Sequence, residues 1–500
     1  GFRGFGRNGE NISNAFFTDP VNGIDQEYTL SSVSKSLRSG FDWNTDYKRT
    51  FKKPQQELTF GLQVDMDLSN SENSFDQNSD DIALLRRNIN ENLGTNSEIT
   101  GQIDYVHPFS KAIKMETGVK GILRQIESDF SAQNFDYTSN QFVRDPSNSD
   151  IFYYDQDVYA AYLSFNINLG DKYGMVVGGR YEQTEFGGDY DFNETSFSNS
   201  YGNFLPSFII SHNLNQFSSL KLSYNQRIRR PGLRFVNPYV DLSNPRDLTV
   251  GNPEVLPEIS NQFELNYGTY IKGIVLNASV FYRLTTDNIE NYTTIQNLIA
   301  PNGEELTGVS VTTFRNIGQT QSIGASMFTS VNIKEKLTLR ASATVSTYDA
   351  QATVDGVALS RTSVIWNGNL NGTLSLNKGF KVEAFGFYNS PRQSIQGSRA
   401  SYSMFSFGLN KEFNKRFSLG LNVSQPFARD LKFENKSEGP DFYQESLNAV
   451  ATRSIGLNFS YRFGKLDFKD RNRDRRGERN NDLLQGEDNM MGGGGSPRQK

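Results

Sequence analysis

Cysteine is absent from the 500 residues, so neither a disulfide framework nor a thiolate metal site can form. Histidine occurs only twice, at His107 and His212. Each stands beside a different turn of the chain, so no His/Asp/Ser arrangement, HExxH pair or Cys/His metal spacing can be assembled. Both are read as structural, and no catalytic or metal-binding residue and no cofactor is expected. No run approaches the ~18 uninterrupted apolar residues that a membrane helix needs. That excludes helical spans but not a barrel, whose strands are half polar by construction. The net charge of -5 gives no global reason to expect nucleic acid as a partner. The chain opens Gly1-Phe2-Arg3-Gly4, without an initiator Met, a basic n-region or an apolar h-region, and its N-terminus is read as processed or truncated.

Alternation is what the chain has in abundance. Leu58, Phe60, Leu62, Val64, Met66 and Leu68 interleave with Glu57, Thr59, Gly61, Gln63, Asp65 and Asp67. Near the other end Phe417, Leu419, Leu421 and Val423 oppose Ser418, Gly420, Asn422 and Ser424, and Ile455, Leu457, Phe459, Tyr461 and Phe463 oppose Ser454, Gly456, Asn458, Ser460 and Arg462. Period two means strand, and its recurrence predicts an all-β protein. A membrane barrel turns the apolar face outward and the polar face to its lumen, the reverse of a soluble barrel.

The connections decide between the two. Short ones (52–55, 108–111, 170–173, 214–216, 271–273, 333–336, 377–379, 414–416) alternate with long polar ones (69–97, 128–149, 186–200, 230–258, 289–310, 350–360, 390–400, 429–447). That is the alternation of an antiparallel up-and-down outer-membrane barrel, with tight periplasmic turns and long external loops. A soluble β-sandwich array gives no reason for it. Roughly seventeen to eighteen strands are visible across 28–463, with 1–27 read as loop or partial strand. The first stretch, near 28–51, reads either as one long descending strand or as a hairpin turning at Ser39-Gly40. Phe463 is expected to close the barrel as the terminal aromatic of the last strand.

After Phe463 the pattern stops. Lys469 to Arg479 holds six basic and three acidic residues, and a polar and Gly-rich stretch follows. Residues 464–500 are read as a disordered periplasmic tail, since they cannot bury enough apolar surface to fold alone.

Lys221, Arg227, Arg283 and Arg340 fall on the lumen face by parity. They either attract anionic solutes or pair with carboxylates such as Glu264, and pairing is the favoured reading. The most distinctive segment runs from Arg229 to Glu258, with Arg230, Pro231, Asn237, Pro238, Gly251, Asn252, Pro253, Pro257 and Glu258 as its marked residues. Its five prolines fix φ and remove amide donors, which predicts an ordered external loop. Such a loop, carrying Tyr, Phe and Arg, suits gripping a ligand or folding over the barrel mouth.

Here a resemblance enters. Gly251-Asn252-Pro253-Glu254-Val255-Leu256-Pro257-Glu258-Ile259-Ser260, leading into Phe263-Glu264-Leu265-Asn266-Tyr267, resembles the GNPxLxPExSxxxELxY signature in barrels of TonB-dependent receptors, with Val255 where the pattern has Leu. Gly179 to Thr184, Asn203 to Ser207 and Tyr224 to Pro231 match further stretches in the same order. The set looks most like the outer-membrane β-barrel family of Bacteroidota, related to TonB-dependent receptors. The resemblance implies a barrel closed around an N-terminal plug, substrate captured outside, and energy delivered by TonB. The stretch from Gly1 holds neither plug nor TonB box, and a plugged barrel of ~22 strands has more than are visible here. Two functions therefore stand open: binding and import of a solute, or a non-transporting barrel acting as a surface-binding or assembly scaffold. The expected partners are outer-membrane lipid, the barrel assembly machinery, TonB through a plug outside this chain, and an unknown solute. The expected location is the outer membrane of a Gram-negative bacterium.

Overall fold

The structure is a computed structural model that describes residues 1–19, 23–79, 86–192, 196–238, 247–299, 305–334, 336–354, 357–414, 416–439, 442–463, 480 and 483–484. In chain order its strands are β1 (Phe2–Asp19), β2 (Ile24–Thr50), β3 (Glu57–Asn78), β4 (Arg86–Pro108), β5 (Ile113–Asp136), β6 (Gln141–Leu169), β7 (Tyr173–Tyr190), β8 (Ser196–Asn215), β9 (Ser218–Pro231), β10 (Asp247–Val250), β11 (Glu258–Ile271), β12 (Ile274–Thr286) and β13 (Ile289–Ile299). They continue with β14 (Glu305–Asn316), β15 (Gln319–Ile333), β16 (Leu337–Val354), β17 (Val357–Ser375), β18 (Phe380–Asn389), β19 (Arg392–Gln393), β20 (Gly397–Arg399), β21 (Tyr402–Asn414), β22 (Phe417–Ser424), β23 (Asp430–Glu438), β24 (Tyr443–Ala451), β25 (Ser454–Tyr461) and β26 (Leu483–Leu484). One short helix, α1 (Leu233–Val236), follows β9.

The wall is an antiparallel meander of 18 strands: β1 to β9, then β11, β12, β15 to β18, β21, β22 and β25. The short connections expected at 52–55, 108–111, 170–173, 214–216, 271–273 and 377–379 each join two wall strands at one rim. Most of the long ones differ from expectation, because the strands run on through them: β3 reaches Asn78 and β4 starts at Arg86, so only a short link separates them. The apolar alternation fades there while the hydrogen-bonded ladder continues. Strand parity was the sequence signal, and a hairpin wetted on both faces has no reason to keep it. The N-terminal region is likewise a full strand, with Phe2–Asp19 paired to β2 along its length, and β2 runs unbroken past Ser39-Gly40. The positions Asp241 and Glu335, expected in the proline-rich connection and in a short turn, lie outside the described residues.

The two faces have opposite chemistry. Phe60, Met66 and Leu68 are exposed on the outside of β3, as are Leu419 and Leu421 on β22. On the inside Glu57, Thr59, Gln63, Thr100, Gln102, Asp104, Lys114 and Glu116 line one polar cavity of about 530 Å³. Its wall is stitched by hydrogen bonds from Gln102 to Asp104 at 2.8 Å, Tyr162 to Asp104 at 2.7 Å and Asn166 to Glu116 at 3.0 Å. A wall lined inside by hydrogen-bonded polar side chains, and presenting aromatic and aliphatic ones outside, is built for hydrocarbon outside and water inside.

At the short-turn rim, both histidines pack against aromatic rings. His212 stacks on Tyr173 at 4.3 Å, and His107 meets Phe109 while its Nδ1 lies 3.0 Å from the Tyr105 hydroxyl. The last strand of the wall, β25, stops at Tyr461, opposite Phe417, and Phe463 lies two residues beyond it and exposed. The ladder on β22 begins at Phe417, and beyond it the Arg462 amide donates to the Arg416 carbonyl at 2.7 Å. The rings that meet at this rim are Phe413, Phe417 and Phe459.

Of the segment expected as a disordered periplasmic tail, Asn480 and Leu483–Leu484 are described, and they lie against the wall. Asn480 reaches Glu98 and Thr100, and β26 pairs in parallel with Arg230–Pro231 of β9.

Candidate functional site

The proline-rich segment occupies the mouth at the long-hairpin rim. The pairing of β9 with β8 ends at Asn225, whereas its pairing with β11 continues to Arg229 opposite Glu258. Released from one neighbour, the strand end turns inward. Arg230 is 1% exposed, donates Nε to Thr184 Oγ1 at 2.9 Å and pairs through Nη2 with Glu182. Glu182 also receives Arg180, so one buried carboxylate is shared by two guanidiniums. Charges this deep are tolerable only when paired and hydrogen-bonded.

Helix α1 follows directly, and its two buried residues point to different partners. Val236 packs with Phe152, Tyr154, Phe186 and Tyr190 of β6 and β7, while Phe235 joins Val255, Ile289 and Phe314. The Phe235 and Phe314 rings meet edge-on at 4.8 Å. The segment is thus pinned between the wall and the sheet formed by β10, β14 and β13.

The Gly251-Asn252-Pro253 triplet holds this arrangement through its backbone. Gly251 N–H donates to the Asn237 carbonyl at 2.8 Å, and a Cβ at position 251 would lie 2.2 Å from that oxygen, so only glycine fits. Asn252 N–H donates to the Phe235 carbonyl at 2.7 Å, its Nδ2 donates to the Phe314 carbonyl at 3.0 Å, and its Oδ1 accepts from Glu254 N–H at 2.9 Å. Val255 is fully buried, so the residue that departs from the signature still fills the hydrophobic position. Leu256 exchanges two backbone bonds with the Asn316 side chain, at 2.7 and 2.8 Å. Pro253 and Pro257 flank this exchange, and Pro238 borders the undescribed 239–246.

Two carboxylates sit under the segment, Glu258 buried and Glu290 half-buried. Glu258 accepts from Ile289 N–H at 2.9 Å. Glu290 accepts from the Tyr348 hydroxyl at 2.7 Å, from Asn288 Nδ2 at 2.9 Å and from Ile395 N–H at 3.3 Å. Burial pushes the Glu290 carboxyl above its ordinary value, against the pull of these bonds and of Arg392.

Of the five inward-facing charges marked in the sequence, two are joined through one side chain. Gln262 bridges Arg283 and Glu264: its Oε1 accepts from Arg283 Nη2 at 2.9 Å and its Nε2 donates to Glu264 at 2.9 Å. Arg227 stands opposite Ser260 and Lys221 opposite Asn266, on the strand pair that carries Glu264. Arg340 stands apart, opposite Ser330. Sequence reading missed Glu182 and Thr184 as site residues. Both lie in the Gly179 to Thr184 stretch, whose occurrence together with Arg230 in one ordered motif set was the available signal. A second chain of polar groups, Glu98 to Arg124 at 2.6 Å, Arg124 to Gln156 at 2.8 Å and Gln156 to Tyr154 at 3.1 Å, carried no motif and was not legible.

Comparison with protein-family models matches residues 49–461 to the "Outer membrane protein beta-barrel family". The chain belongs to that family. The fold of this chain is also that of solved receptors. The ferric yersiniabactin uptake receptor FyuA from Yersinia pestis superposes with a TM-score of 0.51 at 11% identity, over 93% of this chain and 76% of that one. The siderophore receptor PiuA from Acinetobacter baumannii gives 0.51 at 13% identity, over 90% and 82%, and the unliganded ferric citrate transporter FecA gives 0.51 at 10%, over 89% and 78%. At these identities the likeness is one of fold. Comparison with curated proteins finds no match. Family and fold together make this an outer-membrane barrel of a Gram-negative bacterium, with its apolar exterior against lipid.

Proposed function

We propose that this chain is the barrel of a TonB-dependent-receptor-like protein of the kind found in Bacteroidota, which binds a solute at its mouth and imports it. The observation that carries the reading is the inward fold of residues 230–238 and 247–258, held by Arg230, α1 and the Gly251-Asn252-Pro253 triplet above a polar interior. A binding segment on a fixed frame, with a wetted passage beneath it, suits capture followed by passage. In this reading the long-hairpin rim faces outside and the short-turn rim faces the periplasm. The alternation of long and short connections supports that orientation. Coupling to TonB would act through a plug outside this chain, and the solute is one too large for passive diffusion.

The test compares cells with and without the gene for depletion of medium solutes, with and without a protonophore. Import predicts at least one solute whose depletion needs both the gene and the proton-motive force. Identical depletion profiles would instead support a surface-binding or assembly scaffold.

A further inference from the structure

The inner wall holds a second constellation that the mouth does not use. Asn480 places both amide protons of Nδ2, one on Glu98 Oε1 at 2.7 Å and one on Thr100 Oγ1 at 2.8 Å. Glu98 is at the same time fixed from its other oxygen by Arg124, which is itself buried and held by Gln156. A carboxylate and a hydroxyl two residues apart on one strand face, with the carboxylate already oriented, select a two-proton donor.

Three residues later Leu483–Leu484 pair in parallel with Arg230–Pro231. Strand β9 runs from the short-turn rim to the mouth, so the paired segment runs in that direction too. Thr100 lies eight residues before the short-turn end of β4 at Pro108, and Arg230 lies twelve after the start of β9 at Ser218. Asn480 is therefore seated deeper and the leucine pair nearer the mouth.

Around Asn480 the wall offers more than these two acceptors. Gln63 stands directly opposite Thr100 across the β3–β4 ladder, and Gln102 follows two residues on. The amide oxygens of both are buried with no partner among the described residues. Buried acceptors left open on a strand face are what an extended backbone, with an N–H directed to each side at a repeat of ~6.8 Å, would satisfy.

We propose that the barrel lumen is a binding site for an extended polypeptide, and that the segment carrying Asn480 and Leu483–Leu484 is its resident occupant. The ligand class is an extended peptide with one side-chain amide, recognised by Glu98 and Thr100 at depth and, three positions on, by backbone pairing with Arg230–Pro231 nearer the mouth.

The experiment uses the full chain, whose lack of cysteine makes engineered pairs unambiguous. Thr100→Cys with Asn480→Cys is oxidised with copper phenanthroline in outer membranes, and the cross-linked peptide is identified by mass spectrometry. Mixed isotopically light and heavy protein shows whether the link lies within one chain. Gln63→Cys with Thr100→Cys is the positive control, and Leu68→Cys with Asn480→Cys, on the outer face, is the negative one. An intrachain 100–480 link is expected. Its absence while the 63–100 pair forms, or a link only between chains, would overturn the proposal. A second measurement does not depend on that pair: the rate at which Leu483→Cys reacts with a maleimide, with and without Asn480→Asp. A carboxylate facing Glu98 should release the segment and raise the rate several-fold. A rate unchanged by Asn480→Asp would also overturn it.

Discussion

Arg230 donates Nε to Thr184 at 2.9 Å and pairs with Glu182, so the first residue of the mouth segment is bound to a wall strand 46 positions earlier in the chain. Removing Arg230 leaves the buried Glu182 with the half-buried Arg180 as its remaining guanidinium, and breaking a buried pair costs up to about 3 to 5 kcal/mol. Arg230→Met should therefore be strongly destabilising. Arg180→Ala, at a guanidinium one-third exposed, should cost far less. Urea unfolding in lipid vesicles measures both, and equal losses would refute the assigned geometry.

Gly251→Ala should loosen the mouth without unfolding the wall, because the added Cβ would meet the Asn237 carbonyl, a backbone atom that cannot swing aside. Limited proteolysis on intact cells should cut within 230–258 faster in this variant, with heat-modifiable gel mobility unchanged. Leu256→Ala, at an exposed position, is the matched control.

The mouth should be pH-sensitive in a definite direction. Burial raises the Glu290 carboxyl above its unfolded value, so between the two values the folded form holds more protons. Its stabilising effect is complete below the ordinary carboxylate range and is lost as pH rises through the raised value. Hydrogen exchange across 289–316, corrected for intrinsic rates, should show greater protection at mildly acid than at neutral pH. Glu290→Gln should flatten the difference.

Polarity of the wall is tested at two adjacent residues. Leu421→Arg, on the exposed apolar face, should cost about 2 to 4 kcal/mol near the bilayer midplane, and Asn422→Arg far less. Folding yields into vesicles that fall equally would contradict the assignment of faces.

The barrel was legible because its membrane-spanning stretches obey a strict chemical alternation, as in Leu58 to Leu68. The hairpins beyond them were not, since Asn78 and Arg86 end strands that no longer need an apolar face. Of the mouth, the Gly251 motif and Arg230 could be marked from the chain, but their contacts could not. Glu182, Phe314 and Asn316 are distant in sequence and meet Arg230, Phe235 and Leu256 only through the inward turn of β9. Asn480 was hidden for a different reason: its surroundings are polar and Gly-rich, and its partners Glu98 and Thr100 come from the opposite end of the chain.

The central claim is that a solute passes through the lumen. Thr59 lines the polar cavity, while Leu68 lies on the outer face. In the cysteine-free chain, Thr59→Cys or Leu68→Cys is labelled to completion with a bulky maleimide, and gene-dependent solute depletion by the cells is then measured. Depletion should stop for the label at position 59 and continue for the label at position 68. Undiminished depletion with position 59 fully labelled would contradict passage through the barrel.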